Sequence, residues 1–174
     1  MMLGAITTTF ITQQKFYAAQ EEITAMVQGT RAAMDMMSRE IRMAGYSSTR
    51  VNFDGITYSA AQIQIRADLA GDGNTTGLNE NIIYSYDAPN LRIVRNAGSG
   101  DQPFAENIQA LAFEYKKQDG SAATTSAEIR QIKITMTGRT AKRDPNYSPN
   151  GGYRTYTLTS LVTPTNLAYS VYTR

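Results

Sequence analysis

The sequence predicts an α+β domain in which one long N-terminal helix lies on an antiparallel β-sheet. Three observations predict it. From about Phe10 to Ala44 there is no proline, and apolar or small residues recur every three or four positions. After Gly45 the period drops to two, and clusters of Gly, Pro, Asn and Asp separate the alternating stretches. A chain of 174 residues, 41% hydrophobic and 18% charged, has the size and composition of one ordinary globular domain. The expected division is a helix over residues 1–45 and a β-rich head over 46–174.

The helical stripe runs Phe16, Ala19, Ile23, Met26, Thr30, Ala33, Met37, Ile41 and Ala44, with gaps of three and four throughout. Gly45 follows it and can take the left-handed conformation that ends helices, while Arg39 and Arg42 suit the negative end of the dipole. At about 1.5 Å per residue such a helix is roughly 65 Å long, more than a small domain can cover. The stretch 23–45 is therefore expected to pack on the sheet, and the more apolar stretch 1–22 to project. In the projecting part Phe10, Ile11, Phe16 and Tyr17 spread apolar groups over more than one face, which suits packing among several partner helices.

Beyond Gly45, Ile63, Ile65 and Ala67 alternate with Gln62, Gln64 and Arg66, the pattern of a half-buried antiparallel strand. Further strands are expected at 81–87, 91–96, 108–117, 129–139 and 154–163. Asp87-Ala88-Pro89-Asn90 predicts a tight hairpin, Asp119-Gly120 a polar loop, and 144–152, with two Pro and two Gly, a longer exposed one. Tyr, Thr, Ile and Val are abundant after residue 50 and favour a pleated, half-buried surface.

Composition also excludes chemistry. Without cysteine there is no disulfide framework, thiolate metal site or Cys nucleophile, and without histidine the commonest general base and metal ligand is gone. The carboxylates Asp101, Glu106, Glu114 and Glu128 show no spacing that pairs them for acid–base work. No enzyme activity is expected. The apolar opening, Met1 to Thr12, is shorter than the about 20 residues a membrane span needs. It reads as the tail of a longer apolar segment.

Two constellations remain. The segment 68–80 has the outline of a calcium loop, with Asp68, Asp72, Asn74, Thr76, Asn79 and Glu80 as candidate oxygen ligands and Gly73 at the turn. Two positions depart from the pattern: Ala70 brings no oxygen, and Glu80 falls one residue late. A flexible acidic turn has the same composition. No cofactor is expected apart from calcium at this loop. Charge is also segregated, since 52–91 holds five acids against Arg66, whereas 128–154 holds six cations against Glu128 and Asp144. Solvated strand faces account for this. Sharper readings make Arg139, Lys142, Arg143 and Arg154 a patch for a partner subunit or, beside Tyr147, Tyr153 and Tyr156, for a polyanion. Nucleic acid is not an expected partner, because the cluster is short and no recognition motif surrounds it.

The stretches Phe10-Ile11-Thr12-Gln13-Gln14-Lys15-Phe16-Tyr17, Gln20-Glu21-Glu22-Ile23 and Arg31 through Tyr46, with Met37-Ser38-Arg39-Glu40-Ile41-Arg42-Met43-Ala44-Gly45 at its centre, resemble the first helix of PilW-type minor pilins of type IV pili. They resemble more distantly the J-type pseudopilins of type II secretion. Weaker similarity continues through 79–86, 105–108 and 132–135. The family carries a leader, a cleavage and methylation site and an early glutamate in an apolar segment, none of which occurs in these 174 residues. Near the C-terminus it has Arg-Asn-Leu where this chain reads Thr165-Asn166-Leu167. The resemblance implies a pilin-like fold and an N-terminally truncated, soluble chain. It further implies a subunit held in the inner membrane facing the periplasm, then moved into an extracellular filament among minor and major pilins, where it forms or primes the tip. The alternative readings are a pseudopilin of type II secretion, or an adhesin or polyanion-binding module at the tip.

Overall fold

A computed structural model describes the backbone of residues 2–169 and, within it, the side chains of residue 10 and residues 13–167. Helix α1 spans Met2–Met43. Its stripe sinks progressively into the protein: Phe16 is exposed, Ala19, Ile23 and Met26 are half-buried, and Thr30, Ala33, Met37, Ile41 and Ala44 are buried. One periodic pattern thus serves two environments. The helix ends where glycine permits it, with Gly45 at φ +77° and its N–H donated to the Arg66 carbonyl at 2.8 Å.

Among the described residues eight strands follow: β1 (Ile56–Thr57), β2 (Gln62–Arg66), β3 (Asn81–Asp87), β4 (Arg92–Asn96), β5 (Asp101–Glu106), β6 (Ile108–Lys116), β7 (Gln131–Arg139) and β8 (Thr155–Val162). A short helix α2, Thr165–Tyr169, comes after them. The strands form two antiparallel sheets, β1-β2-β3-β4-β5 and β6-β7-β8, each a meander in chain order. The expected strands are all present, and the β3–β4 hairpin turns at Asp87–Asn90, where Asn90 donates its side-chain amide to Asp87 at 2.8 Å.

The division into two sheets comes from a single residue between β5 and β6. Asn107 has a left-handed φ of 57°, so the chain swings out of the first sheet and starts the second. Sequence patterning does not pick out β5, which reads Asp-Gln-Pro-Phe-Ala-Glu. It is an edge strand with mostly exposed side chains, where a proline that donates no hydrogen bond is tolerated; Pro103 pairs with Val94 beside a bulge.

Helix α1 packs over β7 and β8 of the second sheet and reaches β5 and β2 of the first. The buried alternating residues of both sheets meet it, with Met37 and Ile41 among Ile63, Ile65, Tyr84, Ile132, Ile134 and Met136 in one core. Helix and sheet approach closely at Gly138, where a Cβ would lie 2.1 Å from Thr30 Oγ1. Tyrosine hydroxyls tie the two sheets together. Tyr86 donates to the Ile108 and Gln109 carbonyls at 3.0 and 2.7 Å, and Tyr115 donates to the Gln62 carbonyl at 2.9 Å.

Candidate filament interface

The projecting half of α1 is the feature that the fold does not use for itself. Phe10, Phe16 and Tyr17 are 59%, 65% and 72% exposed, although aromatic side chains of this size normally bury most of their surface. Ile11 is helical in backbone, but its side chain lies outside the described ones. No charge occurs over 2–14; the first is Lys15. Among the described residues no helix is long and apolar enough to cross a membrane.

Beside the lower end of the packed half sits the loop between β7 and β8, which carries the predicted basic patch. It meets α1 through Lys142, whose ammonium is 3.3 Å from Glu22 and whose backbone N–H donates to the same carboxylate. The four cations do not form a uniform cluster. Arg154 donates through Nε and Nη2 to Asp144 at 3.0 and 2.7 Å and lies over the Tyr147 ring, holding the Asp144 carboxyl below its usual range. Arg139 stacks on Tyr153 at 3.9 Å, and its buried Nε has no hydrogen-bond acceptor among the described residues. Arg143 is exposed, 5.5 Å from the same ring. Two of the four therefore shape the loop, and Lys142 and Arg143 face solvent.

The six calcium-loop candidates all take part in hydrogen bonds of this segment. Asp68 is buried and accepts hydrogen bonds from Thr49 Oγ1 (2.7 Å), Ser47 Oγ (3.2 Å) and the N–H groups of Gly71 (2.8 Å) and Asp72 (3.1 Å). The Thr49 hydroxyl, foremost, keeps the Asp68 carboxyl below its ordinary value. Glu80 is also buried, and its two oxygens accept from the N–H groups of Ala70 and Gly77 at 2.7 and 2.9 Å. Asp72 binds Asn74, Asn74 binds Thr76, and Asn79 accepts from Arg95 at 3.3 Å. The Asp68 and Glu80 carboxylates hold N–H groups of their own loop. Among the described residues no group of three or more acidic side chains is arranged to hold a metal ion.

The acids Glu114, Glu128 and Asp101 likewise have separate partners: Lys133 at 2.7 Å, Lys117 at 2.8 Å and Asn96 at 2.9 Å. Glu106 lies exposed at the end of β5. No described contact joins two of these four residues into an acid–base pair.

Two groupings escaped the sequence reading. Arg95 of β4 grips Glu40 of α1 with two donors, Nη2 to Oε1 at 2.8 Å and Nε to Oε2 at 3.2 Å, and the Tyr84 hydroxyl donates to Oε2. Burial first, and Glu40 second, push the Tyr84 phenol above its ordinary pKa. A glutamate immediately before Ile41, at the margin of the buried stripe, was the available signal. The second grouping is the C-terminal cap of α1. The Thr165 hydroxyl donates to the Arg42 carbonyl (3.3 Å), and the Asn166 amide donates to those of Met43 and Ala44 (both 3.4 Å). Thr165 and Asn166 thus bring donors from a distant segment to the carbonyls at the end of α1, where the Met43 carbonyl also accepts from the Tyr46 N–H at 3.1 Å.

A long helix half inside an antiparallel β-head and half exposed is the architecture of a type IV-like pilin. One such protein, the type IV-like pilin from Thermus thermophilus, superposes with a TM-score of 0.51, covering 82% of this chain and 97% of that one at 14% sequence identity. At that identity the likeness is one of fold. The prepilin peptidase-dependent protein B family matches residues 19–163, and the chain belongs to that family. No curated protein sequence matches it. Fold and family together are those of a pilin-type structural protein.

Proposed function

We propose that this chain is a minor pilin, of the PilW type, that initiates a type IV pilus or occupies its tip. The exposure of Phe10, Phe16 and Tyr17 on a helix whose other half is buried supports this reading most directly. Exposed aromatics on a rigid rod gain free energy when neighbouring helices remove them from water, by about 25 cal/mol per Å² of apolar surface. Before assembly the same charge-free end would lie in the inner membrane, and the family's name ties its members to a prepilin peptidase. The packed half and the head would then be carried out of the membrane as one rigid unit.

The test is complementation. In cells lacking the gene, wild-type protein should restore filament number, whereas Phe16→Glu with Tyr17→Glu should not, although its head still folds. If deletion leaves filament number unchanged and removes only surface attachment, the chain is an adhesin and the assembly role is wrong.

A further inference from the structure

The first charged residue of the helix and the exposed cations of the β7–β8 loop stand at the same height. Lys15 lines a cleft of about 190 Å³ together with Glu22, Lys142, Arg143 and Asp144. In both ion pairs at this rim the cation is outside and the acid inside. Lys142 is 83% exposed against 22% for Glu22, and Arg154 is 38% exposed against 12% for Asp144. Lys15 and Arg143 are exposed too, and Glu21 is the one exposed acid among the rim residues on the helix. Below Lys15 the helix carries no charge over 2–14, and Phe16 and Tyr17 are exposed beside it.

That order is the polarity profile of a membrane–water boundary. A charge-free segment lies on one side, aromatic rings with a lysine stand at the transition, and outward cations follow on the aqueous side. We infer that the rim formed by Lys15, Lys142 and Arg143 is a docking surface for the anionic phosphate headgroups of a bilayer, on which the underside of the β-head rests before assembly. The inference rests on the pilin reading, in which the charge-free end of α1 enters the membrane. The rim would fix how far the helix sinks and which way the head faces, so that a subunit is presented upright to the growing filament. Stacked and paired inside the loop, Arg139 and Arg154 hold it in shape and need not meet lipid.

The experiment is co-sedimentation of the 174-residue chain with phosphatidylcholine vesicles, with and without a third of phosphatidylglycerol, at low and high salt. Wild type should prefer the anionic vesicles and lose the preference at high salt. Lys142→Gln with Arg143→Gln should weaken anionic binding by roughly 25-fold, since each cation near such a surface contributes about fivefold. Its melting temperature should stay unchanged, because both side chains are exposed. Inorganic phosphate should displace the protein no better than chloride at equal ionic strength; stronger displacement would mean a discrete phosphate pocket and overturn the surface. Equal binding of wild type and variant to both vesicle types would mean that the aromatic helix acts alone, and would also overturn it. Filament counts with the same variant separate this inference from the pilin reading. A variant that binds vesicles normally but assembles no filaments would make the rim an interface for a neighbouring subunit.

Discussion

Gly55 and Gly29 show how much a methyl group can matter at one position and how little at another. A Cβ at Gly55 would lie 2.3 Å from the backbone nitrogen of Gly45, against the turn that ends α1, and neither chain can move without opening the core. Gly55→Ala should therefore destabilise the protein by about 1–3 kcal/mol. At Gly29, on the exposed side of α1, nothing lies within 4 Å, so Gly29→Ala should stabilise by about 0.5–1 kcal/mol through the backbone alone. Urea midpoints of the two variants should move in opposite directions. The Glu40–Arg95 pair is the other residue-scale case, with side chains only 16% and 19% exposed. Arg95→Ala leaves Glu40 facing Tyr84 without its cation and should cost about 2–3 kcal/mol, measured by the same titration. A change below half a kcal/mol would mean that water replaces the guanidinium.

Along α1 the same three-and-four spacing is read by two surroundings. Ile41 is wholly buried, and Ile41→Ala should cost about 2–5 kcal/mol, transfer and cavity together. Removal of residues 1–14 should leave the urea midpoint of the head unchanged, because Phe10 and the side chains from Gln13 to Ala18 are all exposed. Loss of stability on truncation would mean that the lower helix packs on the head in solution. The spacing was legible in the sequence, as were the glycine that stops the helix and the strands with strict alternation. The strand β5 was not legible. Its side chains are set by an edge position and by a bulge at β4, which only the neighbouring strand imposes.

The whole molecule contains no histidine or cysteine, so folding stability should be flat between pH 5.5 and 8. Below that range it should fall. Glu128 is drawn down to about 2 by its bond to Lys117, and Glu114, Asp87, Asp144 and Asp68 are also lowered, chiefly by Lys133, Asn90, Arg154 and Thr49 respectively. A carboxyl with a depressed folded-state pKa stabilises the protein above its unfolded value of about 4, and that contribution vanishes as pH drops through the folded value. Urea midpoints should therefore fall progressively from about pH 4.5 toward 2. A fall already evident between pH 7 and 6 would contradict this. By itself the sequence determined the long helix, its end, the alternating strands and the absence of histidine and cysteine, because periodicity and composition are local quantities. Only the tertiary structure decided that Asp68 and Glu80 close a loop on its own N–H groups, that Arg139 and Arg154 are held in place by tyrosine rings while Lys142 and Arg143 face outward, and that Thr165 and Asn166 cap α1. Each of these depends on where a hydrogen-bond donor or ring from a distant segment comes to rest, and linear spacing does not carry that information.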